Sequence, residues 1–119
     1  GIVFVGEPMS SYVVVIVTVA NRDEAVKIVR SLLEERLIAC ANIVGPISSM
    51  FWWEGKIDEA SEFLVFMKSH ENHFERLSEK VAEIHSYKVP EIIALPIIKG
   101  SPSYLEWLSD SLQPVSDYG

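Results

Sequence analysis

Three histidines and one cysteine carry most of the reactive chemistry open to this chain. His70 and His73 stand one helical turn apart, so both rings could face one ion. No third ligand falls at a diagnostic spacing, and the pair begins a helix beside Glu71, so a solvated surface position is the preferred reading. Cys40 lies between Ala39 and Ala41 in an apolar run, with no basic sequence neighbour to activate the thiol. It reads as a small buried side chain. His85, Tyr87 and Glu91 gather around a helix-to-strand turn. His85 could cap the negative end of that helix, or the three groups could converge on a ligand, and spacing leaves both readings open. There is no G-x-S-x-G elbow, and the six glycines are scattered singly, so no phosphate-cradling loop is present. Trp52-Trp53-Glu54-Gly55-Lys56 invites two readings. One is an interface wedge, the preferred one; the other is an aromatic pocket wall with Glu54 and Lys56 as polar handles. Glu59 and Glu62 read as a solvated acidic run, although Glu62 directly precedes a buried strand and could point into a cleft.

These groups need elements to position them. Tyr12 to Ala20 is β-branched almost throughout and reads as a central strand buried on both faces. Asn21 is a candidate N-cap with Glu24 three residues on, and Ala25, Val29, Leu32, Leu33 and Arg36 recur at helical spacing to about Arg36. Leu37 to Val44 returns to a strand, and apolar residues continue past Gly45-Pro46 to Trp53. Extended without interruption, that run would span roughly 55 Å at ~3.3 Å per residue, whereas a domain of this length has a radius of gyration of only ~13–14 Å. The hairpin must bend at Gly45-Pro46 or project beyond the globule, with Met50 and Trp52 on one side and Phe51 and Trp53 on the other. An arm apolar on both faces needs cover from another chain, which implies an oligomer. Phe63 to Met67 is a second buried strand. A helix from Glu71 to about His85, with Ser69 as candidate cap, carries Phe74, Leu77, Val81 and Ile84 on one stripe. Glu91 to Ile98 is a last strand that Pro96 demotes to an edge, and Ser101-Pro102 opens a short helix with Leu105, Leu108 and Leu112 inward. The order β-α-β-β-α-β plus a terminal helix is the split β-α-β, ferredoxin-like α+β pattern, with two helices on one face of an antiparallel sheet.

Composition narrows the function classes. The chain has 119 residues, which fits a single domain over 12–119 preceded by a loosely ordered leader over 1–11. Ten basic against seventeen acidic side chains leave a net charge of −7, which argues against nucleic acid and against an anionic membrane surface. One cysteine excludes an intramolecular disulfide and fits a cytoplasmic protein. The hydrophobic start lacks a basic n-region, and Glu7 and Pro8 interrupt it early, unlike a signal peptide. No apolar run approaches the ~20 residues of a spanning helix.

Four ordered stretches carry a family resemblance. Glu35 to Ile43 (ERLIACANI), Phe51 to Ile57 (FWWEGKI), Val89 to Ile97 (VPEIIALPI) and Tyr104 to Leu108 (YLEWL) resemble the divalent-cation tolerance protein family CutA, in order, over about Tyr12 to Leu112. The resemblance implies a ferredoxin-like subunit in a tight homotrimer, with long hairpins wrapping neighbours. It implies a role in tolerance of divalent cations, copper above all. The trimer's likeness to the PII signalling proteins implies small-ligand sensing at clefts between subunits. Cys40, His85, Tyr87, Glu91, Glu54, Glu62 and Lys68 keep the family's residue type. Where the family writes HPYEVPE, this chain has Ser86 and Lys88, so a cation replaces an acid beside His85, which disfavours a metal ion there.

The expectation is therefore a homotrimeric, metal-linked binding or regulatory protein. Cys40, His85 and Glu91 are its candidate ligands for Cu²⁺ or another divalent cation. Trp53, Glu54, Glu62, Lys68 and Tyr87 are the candidate cleft. The alternatives are a PII-like small-ligand sensor, an enzyme with His85 as acid or base and Lys68 on an anionic substrate, and a scaffold whose aromatic hairpin organises partners.

Overall fold

In the computed structural model, residues 12–114 are described, so the leader expected over residues 1–11 lies outside them. Strand β1 (Tyr12–Val19) is central, flanked by β3 (Lys56–His70) and β4 (Ile92–Pro96), with β2 (Cys40–Trp53) beyond β3. Every pairing is antiparallel and the order β2-β3-β1-β4 is the ferredoxin-like one. Helices α1 (Arg22–Glu34) and α2 (Phe74–Ile84) link the strands, and α3 (Pro102–Ser111) follows β4.

The core forms where α1 and α2 meet the sheet. Val13, Val15, Val17 and Val19 of β1 are buried with Val65 and Met67 of β3, Ala25, Ile28 and Leu32 of α1, and Leu77 and Val81 of α2. Burial along β1 alternates, contrary to the reading of a strand buried on both faces: the two helices cover one face only. On the other face Val14, Ile16, Leu64 and Phe66 are half-buried, while Val44 is 47%, Ile93 46% and Leu95 49% exposed. Except near Cys40, whose thiol meets Tyr104 of α3, this apolar face is uncovered within the described chain.

Asn21 caps α1, its side chain accepting the Glu24 N–H at 2.8 Å, and Glu24 reaches back to the Ala20 N–H at 3.4 Å. Ile28 occupies the core position that the expected stripe omits, and Leu33 is exposed. The helix ends with Arg36 left-handed at φ 55°, where the N–H groups of Arg36 and Leu37 reach back to the carbonyls of Leu33 and Leu32, a Schellman closure made without glycine. Arg36 then ties down the segment after α3. Its guanidinium donates to the Ser111 carbonyl at 3.0 Å, and its own carbonyl accepts from the Gln113 N–H at 3.0 Å.

The β2–β3 hairpin both bends and projects. Its register shifts between Val44 and Ile47, at Gly45-Pro46, where a β-carbon on Gly45 would approach the Phe63 ring to 2.7 Å or less. Pairing then continues to Trp53 and Lys56, closed by a two-residue turn with Glu54 at φ 50° and Gly55 at φ 78°, the signature of a type I′ turn. The arm makes the chain 43 Å long with a radius of gyration of 15.6 Å, above the value of ~13–14 Å for a sphere-like domain. Its apolar side chains stay exposed, Trp52 at 73%.

A 3₁₀ turn over Glu71–His73 precedes α2, and His70, not Ser69, caps it by accepting the Asn72 N–H at 3.0 Å. Burial lowers the His70 pKa, with Glu71 opposing. Ser69 instead points inward and donates to the Leu37 carbonyl at 2.6 Å. The solvated reading of the His70–His73 pair fails at His73. That ring is fully buried and its Nε2 meets the Gln113 carbonyl at 3.0 Å.

Candidate functional site

The site is built around the turn from α2 to β4. His85 leaves the helix in an extended conformation at φ −63°, ψ 139°, which turns its ring back under the sheet end. Its Nε2–H donates to the Thr18 carbonyl at 2.7 Å, and Nδ1 accepts the Tyr87 N–H at 2.9 Å. Both ring nitrogens are thereby committed and the tautomer is set. Glu24, from the first turn of α1, accepts the Ser86 N–H at 2.7 Å and the Ser86 hydroxyl at 3.0 Å, and lies 3.5 Å from His85 Nδ1. Burial pushes the Glu24 carboxyl up, but the two Ser86 bonds, the His85 ring and the Ala20 N–H together hold it below its ordinary value.

This clasp sets Tyr87. Its ring lies 4.8 Å from that of His85, and its hydroxyl donates to Glu62 Oε2 at 2.7 Å. Glu62 is 6% exposed, a buried acid with a partner. Burial first, then the Glu62 acceptor and its charge, push the Tyr87 phenol up to about 12. The folded phenol thus binds its proton more tightly than the unfolded one. Its contribution to stability is complete below the ordinary value of 10.0 and is lost as pH climbs from there to about 12. Tyr87→Phe is therefore expected to leave the ultraviolet phenolate rise near pH 10 unchanged and to remove part of the rise near 12. A loss near 10 instead would contradict the Glu62 contact.

Above Tyr87 opens a cleft of about 930 Å³. Phe51 and Trp53 of β2 and Asp58 and Glu62 of β3 form the hairpin side, and Tyr87, Lys88, Val89 and Glu91 form the opposite one. Thr18, Ser49 and Met50 complete it. The structure thus brings together Trp53, Glu62, Tyr87 and Glu91 from the expected residues. It does not bring in Glu54, which sits in the hairpin turn, or Lys68, whose Nζ donates to Asn42 Oδ1 at 2.8 Å on the uncovered sheet face. His85 supports the cleft without lining it.

Cys40, His85 and Glu91 do not form one ligand set within the chain. Cys40 pairs with Lys68, whereas Thr18, the His85 acceptor, pairs with Leu64, four residues or ~13 Å along β3. Cys40 Sγ meets the Tyr104 hydroxyl at 3.5 Å, and that bond, with burial and the thiol's charge, raises the Tyr104 phenol to about 12. Among the described residues no group of three His, Cys, Asp or Glu side chains is placed to hold a metal ion.

Phe51 and Asp58 were legible but overlooked. Phe51 shares the Trp53 side of a strand of period two, and Asp58 is the cross-strand partner of Phe51. Nothing in the sequence marks Thr18.

Comparison with known proteins gives the ancestry. A family model described as CutA1 divalent ion tolerance protein matches residues 13–111. The chain is 48% identical over 99 residues to Protein CutA, chloroplastic, of Arabidopsis thaliana, covering 83% of this chain and 54% of that protein. It is 43% identical over 98 residues to the divalent-cation tolerance protein CutA of Thermus thermophilus, covering 82% of this chain and 95% of that one. The crystal structure of CutA1 from Oryza sativa matches with a TM-score of 0.85 at 43% identity, covering 87% of this chain and 95% of that chain. Against the plant sequences it spans about half their length, 54% and 56%. Motif order, sheet topology and these matches agree: the chain belongs to the CutA1 divalent ion tolerance protein family.

Proposed function

We propose that this member of the divalent-cation tolerance family works as a homotrimeric binding and regulatory protein that takes a small ligand in the cleft at the hairpin root. The observation that carries the reading is the cleft, walled by an exposed aromatic arm and opening beside an apolar sheet face uncovered within the described chain. Faces of that kind mark sites where chains meet, and the family resemblance supplies the number three. Binding is favoured over catalysis because both His85 nitrogens are engaged and Tyr87 holds its proton toward Glu62, which leaves neither poised to move one. A lone cysteine, which cannot form an intramolecular disulfide, supports a cytoplasmic setting.

Copper or another divalent cation enters this reading as the condition the protein answers to, since the residues expected to hold it do not fit. Cys40 lies away from the turn, His85 has no free lone pair, and Lys88 flanks Glu91 with positive charge. Light scattering with calorimetric titration of Cu²⁺, Zn²⁺ and Mg²⁺ tests both parts. The expected mass is about three times the 13.4 kDa of one chain, with no ion held at one site per chain. A monomer would overturn the assembly. A one-per-chain copper site lost in Cys40→Ser or Glu91→Gln would restore a resident ion.

A further inference from the structure

Resting on the reading of the cleft as a ligand site, we infer its ligand class: an organic ammonium ion carried on an apolar, aromatic-sized body. The walls pair two kinds of group that only such a molecule satisfies together. Phe51 and Trp53 offer aromatic faces from adjacent positions of one side of β2, and Asp58 stands directly across the ladder from Phe51. Glu62 lies deeper and Glu91 on the facing wall, so three carboxylates oppose a single cation, Lys88.

Other classes fit less well. A small anion would meet more negative than positive charge, in a chain whose net charge is already −7. A neutral apolar body would strip water from the carboxylates and return nothing to them. A bare divalent ion needs converging oxygen ligands, and these three carboxylates are not grouped to hold one. An ammonium group, by contrast, gains from the faces of Trp53 and Phe51 and from charge-assisted hydrogen bonds to Asp58 or Glu91. The Tyr87 hydroxyl has spent its donor on Glu62, so it meets an ammonium group as an acceptor, and it repels an anion's lone pairs.

The test compares three probes of one shape, 2-phenylethylammonium, 2-phenylethanol and phenylacetate, by calorimetry and tryptophan fluorescence on the intact protein. Its mass is measured on the same sample. The ammonium should bind at least about tenfold more tightly than phenylacetate, and its fluorescence response should disappear in Trp53→Phe. Glu91→Gln and Asp58→Asn should each weaken it, and Lys88→Glu, an exposed change with no folding role, should tighten it. Phenylacetate binding as well as the ammonium, or weaker ammonium binding in Lys88→Glu, overturns the inference. If all three probes bind alike and Trp53 responds, the cleft remains a ligand site and only its charge selectivity falls. If no probe moves Trp53, both readings of the cleft fall, whatever the mass.

Discussion

Ile93→Asp is expected to dissociate the proposed homotrimer while each chain stays folded. In the isolated chain Ile93 is 46% exposed, in register with Ile16 on the sheet face away from α1 and α2. A polar residue at an exposed strand position costs at most ~1 kcal/mol. Covered by another copy, the same carboxylate would be buried without a partner, at several kcal/mol per chain, roughly 3–5 for an uncompensated charge. Three such penalties exceed what most assemblies can absorb. Light scattering should therefore move from three chains to one at micromolar protein, with an unchanged far-ultraviolet dichroism spectrum, while Ile93→Val should keep the parent mass. If Ile93→Asp kept the parent mass too, the contact between copies would have to lie elsewhere, with the hairpin arm the next place to look.

The second large effect belongs to His85. Truncation to alanine leaves the Thr18 carbonyl and the Tyr87 N–H without their partners and empties the space of a buried ring. Buried groups left unpaired cost about 1–3 kcal/mol each, so a total of about 2–6 kcal/mol is expected, a fall of roughly 8 °C or more in Tm. Tyr87 should lose its anchor, and the probe response in the cleft should fall with it. His85→Gln, whose amide can donate to Thr18 and accept from Tyr87, should recover part of both. A Tm unchanged in His85→Ala would mean that the clasp of Glu24, Ser86 and His85 does not hold the turn.

Patterns that depend on local chemistry were readable from the residues alone. The Asn21 cap, the stripe of Leu77 and Val81, the bend at Gly45-Pro46 and the edge position of β4 all follow from one residue type meeting one backbone demand. What escaped was decided by distant partners. Ser69 looked like a cap because it precedes a helix, yet Leu37, 32 residues earlier, offers its carbonyl and draws the hydroxyl inward. His73 looked solvated, yet the Gln113 carbonyl, 40 residues on, meets its ring in the interior. The polar half of β3 was missed because Lys56 to Ser61 has no buried face to write a period. At the site, the aromatic and acidic walls were half-legible, but Glu62 and Lys68 share one face of β3, and the choice between them depends on position along the strand, six residues or ~20 Å apart. Cys40 is kept from His85 and Glu91 within one chain for the same reason. Residue type marks chemical capacity, and only strand register tells which capacities become neighbours.

Arg36 has a consequence for how the molecule opens. A non-glycine residue held left-handed stores strain, and here it is retained by bonds running to Ser111 and Gln113, while Gln113 also reaches the Glu35 carbonyl and meets the His73 ring. The end of α1, the turn before α2 and the stretch after α3 thus share one knot of hydrogen bonds. None of the three can fray without releasing the others, so their backbone amides are expected to exchange with solvent as one cooperative unit, and a protease to reach Leu112 and Gln113 only when the first helix has also begun to unwind.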